Sequence, residues 1–100
     1  MCDFGISKEV LDSVINIITQ NPRVLRAVIF GSRAKGNYKK YSDIDLALFG
    51  ITQPEAEDIS EILNNLDVIY NFDVRSYDDI QNEELRRHID RRGKTIRSKN

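Results

Sequence analysis

The apolar residues of this chain fall into stretches of differing period, and each stretch predicts one element. Val10, Leu11, Val14, Ile17 and Ile18 recur at helical spacing, which predicts a helix from Lys8 to Gln20. Ser7 is its N-cap, Ile6 staples against Leu11 one turn in, and Asn21-Pro22 ends it. Val24 to Phe30 is almost wholly apolar and stops at Gly31, the signature of a strand buried on both faces. A short helix is expected from Ser32 to about Lys39, with Gly36 serving the turn after it and a polar stretch leading to Ser42. From Asp43 to Phe49 the pattern alternates, with Ile44, Leu46 and Leu48 on one face and Asp43, Asp45 and Ala47 on the other; Gly50 closes the strand. Thr52-Gln-Pro-Glu55 reads as a capping box ahead of a helix whose stripe is Ala56, Ile59, Ile62, Leu63 and Leu66. Phe72 to Ser76 alternates again, with Asp73 and Arg75 opposite Phe72 and Val74. Asn82 then caps a last helix, Glu83 and Glu84 favour its positive end, and Gly93 stands at its C′ position.

The resulting order, α-β-α-β-α-β-α, implies an α+β fold: a small mixed β-sheet flanked by helices, one domain over residues 1–100. A formal net charge of -1 argues against a grip on nucleic acid through bulk electrostatics. The charge is uneven, since Arg86, Arg87, Arg91, Arg92, Lys94, Arg97 and Lys99 load the C-terminal stretch, most simply as a solvated helix end. Cys2 is the single cysteine, so an intramolecular disulfide is excluded and a reducing compartment is expected. No stretch approaches the ~18 apolar residues of a membrane span, and a signal-peptide core is lacking at the N-terminus. A soluble, cytoplasmic protein without membrane contact is expected.

The chemistry concentrates between residues 31 and 45, in GSRAKGNYKKYSDID. Residues two apart on a strand share a face at roughly 6–7 Å, so Asp43 and Asp45 can hold divalent ions at the roughly 3.5–4 Å separation of two-metal phosphoryl-transfer sites. A carboxylate among apolar strand residues is costly to bury without a cation or donors beside it. Asp73 repeats the arrangement on the next strand and is placed to accept a proton from an attacking hydroxyl. Asp67 rivals it, because Leu66-Asp-Val-Ile69 also looks strand-like; its place at the exit of a helix needs no special reason, and Asp73 is preferred. Gly31 lets phosphate approach with no Cβ in the way, and Ser32 can donate both hydroxyl and amide. Among the basic residues nearby, Arg33 is the candidate for a phosphate grip, while Lys35, Lys39 and Lys40 read as a solvated turn. His88 reads as a packed or half-exposed helix residue rather than a ligand.

Gly31-Ser32, Ser42-Asp43-Ile44-Asp45-Leu46 and Asp73 in a later strand together resemble the nucleotidyltransferase superfamily related to DNA polymerase beta. Within it the chain is most similar to the minimal nucleotidyltransferases of prokaryotes, which act as antitoxins beside HEPN-domain toxins. The likeness extends to Leu85-Arg-Arg-His-Ile89 and Gly93-Lys-Thr-Ile96 near the C-terminus. The resemblance implies the nucleotidyltransferase fold and a transfer of AMP from ATP onto a hydroxyl. It implies that Asp43, Asp45 and Asp73 ligate two Mg²⁺ ions, with Mn²⁺ as a substitute, and that Gly31 and Ser32, with Arg33, hold the nucleotide triphosphate. The implied partner is a HEPN-type toxin modified on a tyrosine, in a hetero-complex or with homo-oligomers.

Two other readings stay open. One is a binding module that masks the toxin without catalysis. The other is a catalytic subunit acting on a small-molecule hydroxyl, such as that of an aminoglycoside. One hundred residues leave no room for an acceptor-binding domain, which favours an acceptor delivered by a partner surface. Polymerisation of nucleic acid ranks last, for want of a template-gripping domain.

Overall fold

The computed structural model describes residues 4–98. Helix α1 (Lys8–Thr19) is capped by Ser7, whose side chain accepts from the Val10 amide. Strand β1 (Arg26–Phe30) follows, then the four-residue helix α2 (Ser32–Lys35), strand β2 (Ile44–Phe49), helix α3 (Gln53–Asn64), strand β3 (Phe72–Ser76), helix α4 (Glu83–Arg92) and strand β4 (Lys94–Ser98). A single 3-10 turn at Tyr77–Asp79 joins β3 to α4. The four strands lie in the order β3-β2-β1-β4. β1 runs antiparallel to both β2 and β4, and β2 runs parallel to β3, so the sheet is mixed as expected.

Why the sheet is central follows from β1, whose alternate residues enter different cores. Ala27 and Ile29 join Val14, Ile18, Leu46, Leu48, Ile59 and Leu63 beneath α1 and α3. Val28 and Phe30 pack with Ala47 and Ile89 beneath α4. The molecule is therefore three layers, with α1 and α3 on one face of the sheet and α4 on the other. That second face also carries the residues expected to do chemistry.

Two interactions fix β3 at the sheet edge. Asn64, the last residue of α3, takes both backbone groups of Phe72: the Phe72 amide donates to Oδ1 at 2.8 Å and Nδ2 donates to the Phe72 carbonyl at 3.0 Å. At the other end the Ser76 amide donates to Gln53 Oε1 at 2.9 Å. The capping box of α3 forms as the sequence predicts, Thr52 and Glu55 each accepting the other's amide.

Four expectations need correction. Strand β4 was not foreseen: KTIRS offers one apolar side chain, and an edge strand with one apolar residue gives no alternation to read. Gly93 does not end α4 in a left-handed turn but stands extended, φ −64° and ψ 148°, and passes straight into β4. A Cβ there would run into the Ile89 carbonyl and the Val28 side chain, so glycine serves a close approach rather than a positive φ. Helix α2 stops at Lys35 instead of about Lys39, because Gly36 takes the left-handed conformation at φ +88°. Ile62, expected in the buried stripe of α3, is half exposed. No helix among the described residues is long and apolar enough to cross a membrane.

Candidate active site

Strand geometry brings the carboxylates together. In the parallel pairing of β2 with β3, Asp45 stands opposite Asp73. The alternation that buries Leu46 and Val74 under α1 and α3 turns both aspartates to the opposite face. Asp43, one residue ahead of β2, is exposed. Asp45 registers the crowding of negative charge. Burial first, then repulsion from Asp73 and from Asp43, push its carboxyl up from 3.8 to about 6, with Arg75 pulling partly the other way. Arg75 lies two residues along from Asp73 on the same face and reaches its carboxylate at 3.6 Å, both side chains about half exposed.

The glycine turn meets the same spot. Asp45 pairs with Phe30 across the β1–β2 ladder, so the next residue, Gly31, turns directly over it. Gly31 adopts φ +76° and ψ −152°, where side chains are strained, and a Cβ would strike the Asp45 carboxylate oxygen. Both the conformation and the contact call for glycine. The amides of Ser32, Arg33 and Ala34 have no backbone acceptor among the described residues, as the first turn of a helix leaves them. With only four residues, α2 adds little dipole; its offer to an anion is these free N–H groups. The Gly31 amide is already engaged, donating to Nε2 of His88 at 3.2 Å.

Arg33 is a correction. It is 2% exposed, and its guanidinium spreads five hydrogen bonds over the carbonyls of Phe4, Gly5, Lys40 and Ser42, while stacking near Tyr38 and Tyr70. All its donors are in use, so it holds the segment between α2 and β2 instead of presenting charge to a phosphate. Asp67 lies exposed in the irregular stretch between α3 and β3, off the sheet, which leaves Asp73 as the third carboxylate on the face.

Among the described residues, no three His, Cys, Asp or Glu side chains stand tightly enough together to encircle one ion. Asp45 and Asp73 are in register, whereas Asp43 stands outward and Asp73 leans to Arg75. The donors nevertheless suit a hard divalent cation. They are all carboxylate oxygens, and the raised pKa of Asp45 marks negative charge that a cation would relieve. Beyond Asp73 a cleft of about 500 Å³ opens between the β3 edge and the start of α4, lined in part by Arg75, Asp79, Asn82 and Leu85.

Two residues that shape the site carried no signal of it in the sequence. Asn64 sets the start of β3, and so the register of Asp73, from the end of a helix where asparagine is unremarked. His88 reaches the glycine turn from 57 residues away, which spacing cannot reveal.

Residues 12–100 match the family described as Polymerase beta, Nucleotidyltransferase. Curated proteins yield no significant match. Among solved structures, a toxin–antitoxin complex with AMP-PNP contains a chain similar to this one, with TM-score 0.76 and 18% identity over 90% of this chain and 74% of that one. The MntA-HepT toxin–antitoxin complex gives 0.70 and 15%, covering 93% and 74%. A tri-AMPylated Shewanella oneidensis HEPN toxin in complex with its MNT antitoxin gives 0.71 and 16%, covering 92% and 72%. At these identities the likeness is one of fold. The glycine turn over paired strand carboxylates, in a sequence that matches the family from residue 12 to its end, places this chain in the polymerase beta nucleotidyltransferase family.

Proposed function

We propose that this nucleotidyltransferase moves AMP from ATP onto a tyrosine hydroxyl of a partner HEPN toxin, and so acts as that toxin's antitoxin in the cytoplasm. The observation that carries the reading is the close approach of Gly31 to Asp45, which sets the glycine turn and the free amides that follow it against a pair of carboxylates in register. Two Mg²⁺ ions, or Mn²⁺, held by Asp43, Asp45 and Asp73 would neutralise the charge on the phosphates. For that, Asp43, which is exposed, and Asp73, which contacts Arg75, would have to turn toward Asp45.

The chain's own residues do the rest. The amides of Gly31 and Ser32, with the Ser32 hydroxyl, hold the triphosphate. Asp73 takes the proton as the acceptor oxygen bonds to the α-phosphorus, the bond to the β-phosphate breaks and pyrophosphate leaves. The donor side is the turn at the end of β1 and the acceptor side is the β3 edge, where the cleft beside Asp73 is open to a protein surface. Similar chains found in complex with a HEPN toxin, in one case an AMPylated toxin, support this choice of partner.

Calorimetry tests the nucleotide half of the reading. The chain should bind ATP only with Mg²⁺ or Mn²⁺ present, and Asp43→Asn combined with Asp45→Asn should abolish that binding while circular dichroism shows the fold kept. Unchanged MgATP affinity in the double variant would overturn it.

A further inference from the structure

The chain has one histidine, and it sits on the donor that a phosphate needs. His88 is half-buried on α4, its ring edge-on to Phe30 with centroids 6.1 Å apart and planes at 77°. Nε2 accepts from the Gly31 amide, so that nitrogen carries a lone pair and the proton of the neutral ring is on Nδ1. Burial, together with the cations of Lys35 on α2 and Arg92 on α4, lowers its pKa and keeps the ring in this neutral state. Neither Phe30 packing nor the capping of α4 requires the bond to Gly31.

We infer that His88 is a latch on the phosphate-binding turn: it holds the Gly31 N–H while nucleotide is absent and surrenders it to a phosphate oxygen when nucleotide binds. The inference rests on the nucleotide-binding reading above. One N–H cannot serve two strong acceptors at full strength, so nucleotide must displace the imidazole. The latch therefore keeps the amide of the turn satisfied in the empty site and weakens nucleotide binding by the worth of one hydrogen bond. His88 is a positioning residue on this account and takes no part in transfer.

The test compares the parent chain with His88→Phe, which keeps a ring against Phe30 and loses the acceptor, and His88→Gln, whose Oε1 restores an acceptor near the place of Nε2. Each is titrated by calorimetry with the Mg²⁺ complex of a non-hydrolysable ATP analogue at neutral pH. His88→Phe should bind the analogue about 2- to 10-fold more tightly, the range of one net hydrogen bond, and His88→Gln should stay close to the parent. Equal or weaker binding by His88→Phe overturns the latch, as does tightening of the same size in His88→Gln. A second readout needs no variant. The single histidine gives one set of imidazole ¹⁵N signals, and saturation with the analogue should shift Nε2 as its bond to Gly31 is lost; an unmoved signal in a saturated chain contradicts the inference. A parent chain that does not bind the analogue at all overturns the nucleotide reading itself, a distinct outcome.

Discussion

Gly31 and Asp45 form one feature built from two motifs fourteen residues apart, because the β1–β2 ladder folds the glycine over the carboxylate. Asp45 is strained by its own neighbours, which gives a prediction with a definite sign. Its pKa in the folded chain, about 6, lies above its unfolded value, so the fold favours the protonated form. The cost of ionising it is absent below about pH 4, accrues as pH rises toward 6 and is complete above. Asp45→Asn should therefore stabilise the metal-free chain by about 1–2 kcal/mol at pH 7.5, a figure reduced for solvent screening of a partly exposed group, and change little at pH 4. Urea denaturation at the two pH values checks it. Asp73 makes a different demand. Asp73→Asn should lose most transfer activity while keeping MgATP affinity, since proton transfer matters only in the transition state. The reverse ranking, with Asp67→Asn inactive and Asp73→Asn active, would show the wrong carboxylate was chosen. The positions of Asp45, Asp73 and Gly31 were legible in sequence because strand alternation and a glycine after a buried strand are local signals. The roles of Arg33 and His88 were not, since they depend on where a long or distant side chain points.

At the scale of elements, the strands with alternating or almost wholly apolar patterns, β1, β2 and β3, were readable, and so were the capped helices α1, α3 and α4. What escaped was β4, an edge strand of mostly polar residues held by its backbone pairing to β1. The junction before it is rigid: Gly93 lies so close to Ile89 and Val28 that any Cβ forces a backbone shift. Gly93→Ala should cost about 1–3 kcal/mol, the range for overpacking a filled space, and thermal denaturation should show it. A stability equal to the parent's would mean that β4 does not pack as described. Asn64 is the counterpart on the other side of the sheet. Its side chain stands in for a missing neighbouring strand at Phe72, which protects the β3 edge and holds Asp73 level with Asp45.

At the scale of the whole molecule, the three layers divide the labour. The face under α1 and α3 is closed by the larger core, while the face under α4 is only half covered, and its uncovered part carries the aspartates. Glycine turn, carboxylates and cleft follow one another across the sheet from β1 to β3, so the proposed nucleotide and acceptor sides would lie on either side of the aspartates. In the proposed reaction, AMP joined to a toxin tyrosine would add a bulky phosphodiester anion to the toxin, a change of charge and size able to block a site beside it.

The most direct measurement is the intact mass of the HEPN toxin after incubation with this chain and MgATP. The account predicts toxin heavier by one or more AMP units, inactive, and unmodified when the Asp43/Asp45 double asparagine variant replaces the parent. Toxin inhibited with no gain in mass, and inhibited equally by the double variant, would show that the chain neutralises by binding alone and contradict the account.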